Sequence, residues 1–149
     1  MNSATNTAIN SHKFVINNIE LNNISETVTL ISSKAKTIYP PFIRGGDMEL
    51  IIEEILVNIC NYAYPMIDSH RQVEISLDFD EKTKSFFLKI VDFGLDFNPL
   101  LKEEPNLELD LEDRPIGGLG IHLVKKLASK VEYSRKNYQN ILSLEIHST

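Results

Sequence analysis

Glu54 and Asn58 stand four residues apart in the run "MELIIEEILVNICNYAY", so on a helix they share a face. Ile52, Ile55, Ile59 and Ala63 recur at helical spacing and mark another face, turned to a core. An asparagine in mid-helix competes with its own backbone for hydrogen bonds, which makes Asn58 an odd choice without a task. Its side-chain oxygen could hold Mg²⁺, an ion that takes one or two protein ligands and leaves the rest to phosphates and water. Glu54, one turn earlier, is placed to act as a general base on a hydroxyl near that metal. Asn61 extends the polar face. A solvated helix flank bearing Glu53, Glu54, Asn58 and Asn61 is the plainer alternative for this helix alone.

Two further stretches carry residues suited to a nucleotide. "VDFGLDFNP" sets Asp92 at the end of a strand, where a carboxylate can accept from the exocyclic amine of adenine. Gly94 would leave room for the base against the backbone. An ordinary strand-to-turn exit also uses Asp and Gly. "RPIGGLGIHLVKKLAS" places Gly117, Gly118 and Gly120 at the mouth of an amphipathic helix. Free N–H groups and a partial positive charge gather there, and glycine lets a phosphate approach the backbone. A glycine-rich hinge is the competing reading. The run is not a dinucleotide fingerprint, because the third glycine would fall at Leu123 and no strand leads directly into it. It is not a Walker A loop, since no Gly-Lys-Ser/Thr follows. "DFG" without an "HRD" loop or a "VAIK" strand does not make a eukaryotic-type protein kinase. His122 has no second ligand at helical spacing and reads as packed or solvated.

These residues need elements to position them. "KFVINNIELNNI" (13–24) reads as an edge strand, and "SETVTLISSKAKTIY" (25–39) as a helix capped by Ser25 and ended by Pro40 and Pro41. Asp47 would cap the second helix, which stops at Pro65. "QVEISLDFD" and "KSFFLKIVDF" form a hairpin around "EKTK". About two dozen residues without clear periodicity follow, and a loop that long is functional or mobile. A helix over 118–130 and a second hairpin around "NYQN" complete the chain. Helices interleaved with hairpins predict an α+β sandwich, helices on one face of a sheet.

Composition sets the bounds. A chain of 149 residues suits one domain. The formal charge of −6 gives no nucleic-acid footprint. A lone cysteine, Cys60, excludes an intramolecular disulfide and a cysteine metal cluster. The polar start "MNSATNTAINSH" has no apolar signal core, and no apolar run approaches the ~20 residues of a membrane span. The expectation is a soluble cytoplasmic protein without membrane or nucleic-acid partners, frayed over 1–12 and folded as one domain over 13–149.

Glu-x₃-Asn on a helix, a strand ending Asp-x-Gly, a long segment and Gly-x-Gly opening a helix follow one another along the chain. This order resembles the N, G1 and G2 boxes of the Bergerat-fold (GHKL, histidine-kinase-like) ATPases. "EEILVNICNYAYP", "DFGLDFNPL" and "EDRPIGGLGIHLVKKLASKVEYSRKNYQNILSL" resemble, more narrowly, the RsbW-like anti-sigma-factor serine/threonine kinases. The likeness spans about residues 12–147. It implies a two-layer sandwich with helices on one face of a mixed, mainly antiparallel sheet. It implies ATP and Mg²⁺ as cofactors, with Asn58 as metal ligand and Glu54 as the base that activates a substrate serine. It assigns adenine to Asp92 beside Gly94, and phosphates to Gly117, Gly118 and Gly120. Arg114 would reach the γ-phosphate, Ser143 would help bind adenine through water, and Asn61, Phe97 and Leu119 complete the nucleotide contacts. Residues 100–116 correspond to the ATP lid, here acidic at Glu103, Glu104, Glu108, Asp110, Glu112 and Asp113, which reads as a solvated charge run. One departure is Asp96, where many members carry a second glycine.

The resemblance implies an enzyme that phosphorylates a STAS-type anti-anti-sigma protein and sequesters a sigma factor, with relatives that pair as homodimers. The alternative is a non-catalytic, ATP-dependent module that regulates a sigma factor or a PP2C-type phosphatase. The intact Glu54 favours the enzyme. A histidine-kinase catalytic domain fits the fold, but His12 lies in a strand-like stretch rather than on a dimerisation helix.

Overall fold

A computed structural model describes residues 9–39, 46–65, 70–101 and 118–147. Strand β1 (Ile9–Ile16) is followed by a 3₁₀ turn at Leu21–Asn23, helix α1 (Ile24–Ile38) and helix α2 (Asp47–Asn58). Helix α2 widens into a π turn at Ile59–Ala63. Strands β2 (Val73–Asp80) and β3 (Ser85–Asp92) come next, then a 3₁₀ turn at Pro99–Leu101, helix α3 (Gly118–Leu127), β4 (Lys130–Lys136) and β5 (Gln139–His147).

The strands form one sheet in the order β1-β2-β3-β5-β4, with every ladder antiparallel. A parallel bridge, Asn18 to Arg71, lies outside the strands. Strand periodicity sends Val73, Ile75, Leu77 and Phe79 of β2 to one face, where all four are buried. Phe86, Leu88 and Ile90 of β3 and Leu142, Leu144 and Ile146 of β5 join them. The helices cover this face. Helix α1 contributes Ile24, Val28, Ile31 and Ala35, and α2 contributes Ile51, Ile52, Ile55 and Leu56. Helix α2 packs against both α1 and α3. The result is the two-layer α+β sandwich expected from the sequence.

Local details correct the sequence reading. Strand β1 starts at Ile9, inside the 1–12 stretch read as frayed, because its backbone pairs with β2 from Ile9 opposite Asp80. It ends at Ile16, so the expected strand over 13–24 is cut short by the 3₁₀ turn. Ser25 lies inside α1, whose N-cap position is Asn23. Asp47 is the first residue of α2 rather than its cap, and still complements the helix dipole there. The β4–β5 hairpin turns tightly at Asn137 and Tyr138, both left-handed, with φ of 52° and 62°. Two successive positive φ values match the right-handed twist of the flanking strands.

An aromatic triad anchors the far end of the core. The rings of Phe79 and Phe86 lie 4.6 Å apart, and Tyr39 closes on them at 5.8 and 5.6 Å. Phe79→Ala should lower the unfolding free energy by about 3–5 kcal/mol through lost burial and a residual cavity. Urea titration would check this, and a loss under about 1 kcal/mol would mean that the triad is not packed as described.

Candidate functional site

Between α2 and the ends of β3 and β5 lies a narrow cleft lined by Ile55, Asn58, Ile59, Ile90, Asp92, Phe97, Pro99, Tyr133, Asn140 and Leu142. Its apolar walls suit the faces of a planar ring, and its few polar atoms are fixed by the sheet register. Ile90 pairs with Leu142, and Asp92 with Asn140, across β3 and β5. Tyr133 pairs with Leu142, and Arg135 with Asn140, across β4 and β5.

Asp92 is buried at the head of the cleft. Its Oδ1 accepts Gly94 N–H at 2.9 Å and Asn140 Nδ2–H at 2.8 Å. Oδ2 is the oxygen left to take a ligand's N–H. Burial is the largest influence on its carboxyl and raises it above the ordinary 3.8, opposed by those two bonds and by the Arg135 charge.

Asn140, which donates to this carboxylate, is itself fixed by four further side-chain bonds. Nδ2 also donates to Leu95 O at 2.7 Å. Oδ1 accepts from Tyr133 Oη at 2.6 Å, Arg135 Nη1 at 3.1 Å and Phe97 N at 3.2 Å. The amide can point only one way, because reversal would set its NH₂ against these donors. Tyr133 Oη also lies 3.0 Å from Asp96 Oδ1, so its single proton is shared between two acceptors. Burial and that carboxylate push the phenol up to about 12. Asp96, the departure from the family glycine, is therefore engaged with β4.

Asn58 Nδ2 donates to Glu54 O at 2.8 Å, which fixes its orientation. Its Oδ1 is buried and accepts no hydrogen bond from the described residues. A buried, unpartnered carboxamide oxygen is costly, and it is a hard donor of the type a divalent cation takes. The residue thus fits the Mg²⁺ role assigned to it from sequence. Glu54, half-buried, presses on α3: a Cβ at Gly120 would overlap its carboxylate. That glycine is what lets the start of α3 and the acid on α2 come together. Burial, then repulsion from Glu53, raises the Glu54 carboxyl above its usual range.

The other residues singled out from sequence fall in different places. Phe97 lines the cleft, stacked on Tyr62 at 4.9 Å and 24°. Gly118 and Leu119 lie in the first turn of α3. Arg114, Gly117 and the acidic residues of the lid lie outside the described residues. Of the expected lid, Leu100 and Leu101 sit in the 3₁₀ turn, where Lys125 Nζ donates to Leu100 O at 3.1 Å.

Three assignments need correction. Ser143 is on the opposite face of the sheet, because β5 turns Asn140, Leu142, Leu144 and Ile146 inward and the odd positions outward. Asn61 lines a separate depression with Cys60, Tyr64 and Arg71, because the π turn rotates less per residue than an α-helix and leaves it short of the face that Glu54 and Asn58 share. Gly94 gives its space to the protein, not to a base: a Cβ there would overlap the Ala63 carbonyl, which accepts Leu95 N–H at 2.8 Å. Sequence reasoning missed Asn140, Tyr133 and Arg135. The alternation of leucine and isoleucine at 142, 144 and 146 was the signal that position 140 faces inward.

Residues 20–146 match the family model of the histidine kinase-like ATPase domain, and the chain belongs to that family. It is also 28% identical over 101 residues to the serine/threonine-protein kinase BtrW of Bordetella bronchiseptica, an alignment covering 68% of this chain and 69% of that protein. The family accounts for a cleft of this chemistry as an ATP site. No helix among the described residues is long and apolar enough to cross a membrane.

The raised carboxyl of Asp92 has a pH signature. In the absence of ligand, the stability it contributes is complete below its ordinary value and declines as pH rises through the higher folded value. Asp92→Asn removes that titration. The unfolding free energy of the parent minus that of Asp92→Asn should fall between about pH 4 and neutrality. Urea titrations across this range would read it, and a flat difference would contradict the assignment.

Proposed function

We propose that the protein is an ATP-dependent serine/threonine protein kinase that phosphorylates a STAS-type anti-anti-sigma protein and, in turn, sequesters a sigma factor. The observation that carries the proposal is the unpartnered Oδ1 of Asn58 in the cleft, with Glu54 one turn away against the opening turn of α3. The name of the Bordetella relative supports the reaction class. A protein kept from a sigma factor by its own phosphorylation substrate works in the cytoplasm, and pairing of two copies is part of this reading.

Asp92 would orient the purine ring of the substrate ATP, and the apolar walls would exclude water from it. Asn58 would hold Mg²⁺, which supplies charge neutralisation at the phosphates when bound. Glu54 would accept the proton of the attacking serine hydroxyl. The serine oxygen forms a bond to the γ-phosphorus as the bond to the β–γ bridging oxygen breaks, leaving ADP. The raised carboxyl of Glu54 makes it a better proton acceptor than an exposed glutamate.

Radiolabelled Mg-ATP with STAS proteins of the same genome tests this. Glu54→Gln should bind ATP within about threefold of the parent but lose transfer by about 10²–10⁴-fold. Asn58→Ala should weaken Mg-ATP binding, while ATP in EDTA should bind the parent and Asn58→Ala equally. Transfer by Glu54→Gln at the parental rate would overturn the base assignment. ATP binding without labelling of any STAS protein would favour the non-catalytic module that acts on a sigma factor or a PP2C-type phosphatase.

Gly120→Ala should fold to within about 1 kcal/mol of the parent, because the alanine favours the helix and the Glu54 side chain can swing aside. The displaced carboxylate should still cut phosphoryl transfer at least about tenfold, read in the same assay. Transfer at the parental rate would show that the Glu54–Gly120 contact is not used.

A further inference from the structure

We infer that Asn140 restricts Asp92 to a single free carboxylate oxygen, so that the cleft reads one N–H on a purine edge rather than a pair; the inference rests on the nucleotide reading above. The geometry is direct. Oδ1 of Asp92 already accepts Asn140 Nδ2–H at 2.8 Å and Gly94 N–H at 2.9 Å. Two donors fill the acceptor directions of one carboxylate oxygen. Oδ2 alone is left.

Asn140 cannot easily release its grip. It is 4% exposed, and its five bonds reach β3, β4 and the 95–97 loop. Its neighbour in the sheet register, Arg135, also donates to Gly94 O at 2.9 Å. The loop that supplies the second bond to Oδ1 is thus held by the same network. Asn140 is therefore a positioning residue, and it acts through the carboxylate that meets the ring.

Purine chemistry makes the consequence specific. Adenine offers one exocyclic amine beside an acceptor nitrogen. Guanine offers two adjacent donors, N1–H and the 2-amine, which match both oxygens of a free carboxylate. Hypoxanthine offers N1–H alone. A carboxylate with one oxygen available gains nothing from the 2-amine of guanine, whereas an unrestricted one gains a second charge-assisted bond.

Calorimetric titration of the full chain with Mg²⁺ and ATP, GTP or ITP separates these cases. In the parent, GTP and ITP should bind within about twofold of one another, both about tenfold or more weaker than ATP. In Asn140→Ala, all three should weaken, but GTP should gain about tenfold on ITP as Oδ1 is released. A purely structural loss would weaken all three by one factor, and an unchanged GTP-to-ITP ratio in a folded Asn140→Ala would overturn the inference. The parent arm stands even if that variant does not fold: GTP binding tenfold tighter than ITP would overturn the inference while ATP binding keeps the nucleotide reading intact. Absence of ATP binding by the parent would overturn both.

Discussion

A carboxylate and a carboxamide face each other across the ends of β3 and β5, both buried and 2.8 Å apart. Burying Asp92 without partners would be costly, and Asn140 and the Gly94 amide offset much of that cost. Because β3 and β5 are register-locked, this bond also fixes where the carboxylate points. The Leu95 carbonyl, the Phe97 amide, the Tyr133 phenol and the Arg135 guanidinium then arrange themselves around the same amide. The head of the cleft is thus a product of the sheet rather than of a free loop, and polar groups held this way keep their geometry without a ligand.

The other wall is set by α2, and its links to the nucleotide loop are short. The π turn at its end presents the Ala63 carbonyl to Leu95 and Gly94. Tyr64 Oη donates to Gln72 O at 2.7 Å and accepts Phe93 N–H at 2.8 Å. These bonds tie the end of α2 that follows Glu54 and Asn58 to the loop after β3. A π turn beside a functional residue is a common device, since the extra residue re-aims side chains at a helix end.

Much of this was legible in the sequence, and the errors have physical causes. Apolar spacing revealed α2 and both hairpins, and the order of Glu54, Asn58, Asp92 and Gly120 revealed the family. Asn61 was misplaced because hydrophobic spacing does not distinguish an α turn from a π turn five residues long. Gly94 was misread because a glycine announces close approach without naming the neighbour, here Ala63 rather than a base. Ser143 was assigned from the family resemblance, and the alternation of β5 turns it to the opposite face. The strand at Ile9 was hidden in a polar stretch, where pairing with β2 rather than local apolar content decides the structure.

The two left-handed residues joining β4 and β5 acquire a meaning from this arrangement. Left-handed backbone is unfavourable for an ordinary side chain such as that of Tyr138, by roughly 1–2 kcal/mol. The tip is solvent-exposed, and exposed tips are usually where chains accommodate additions. A one-residue slip of β5 would offer Gln139 or Ile141 to Asp92 and bury Ser143, and it is the ladder to β3 that prevents it. That ladder, rather than the length of the tip, is what keeps Asn140 turned toward Asp92, so the tip can lengthen by a residue without exchanging the faces of β5.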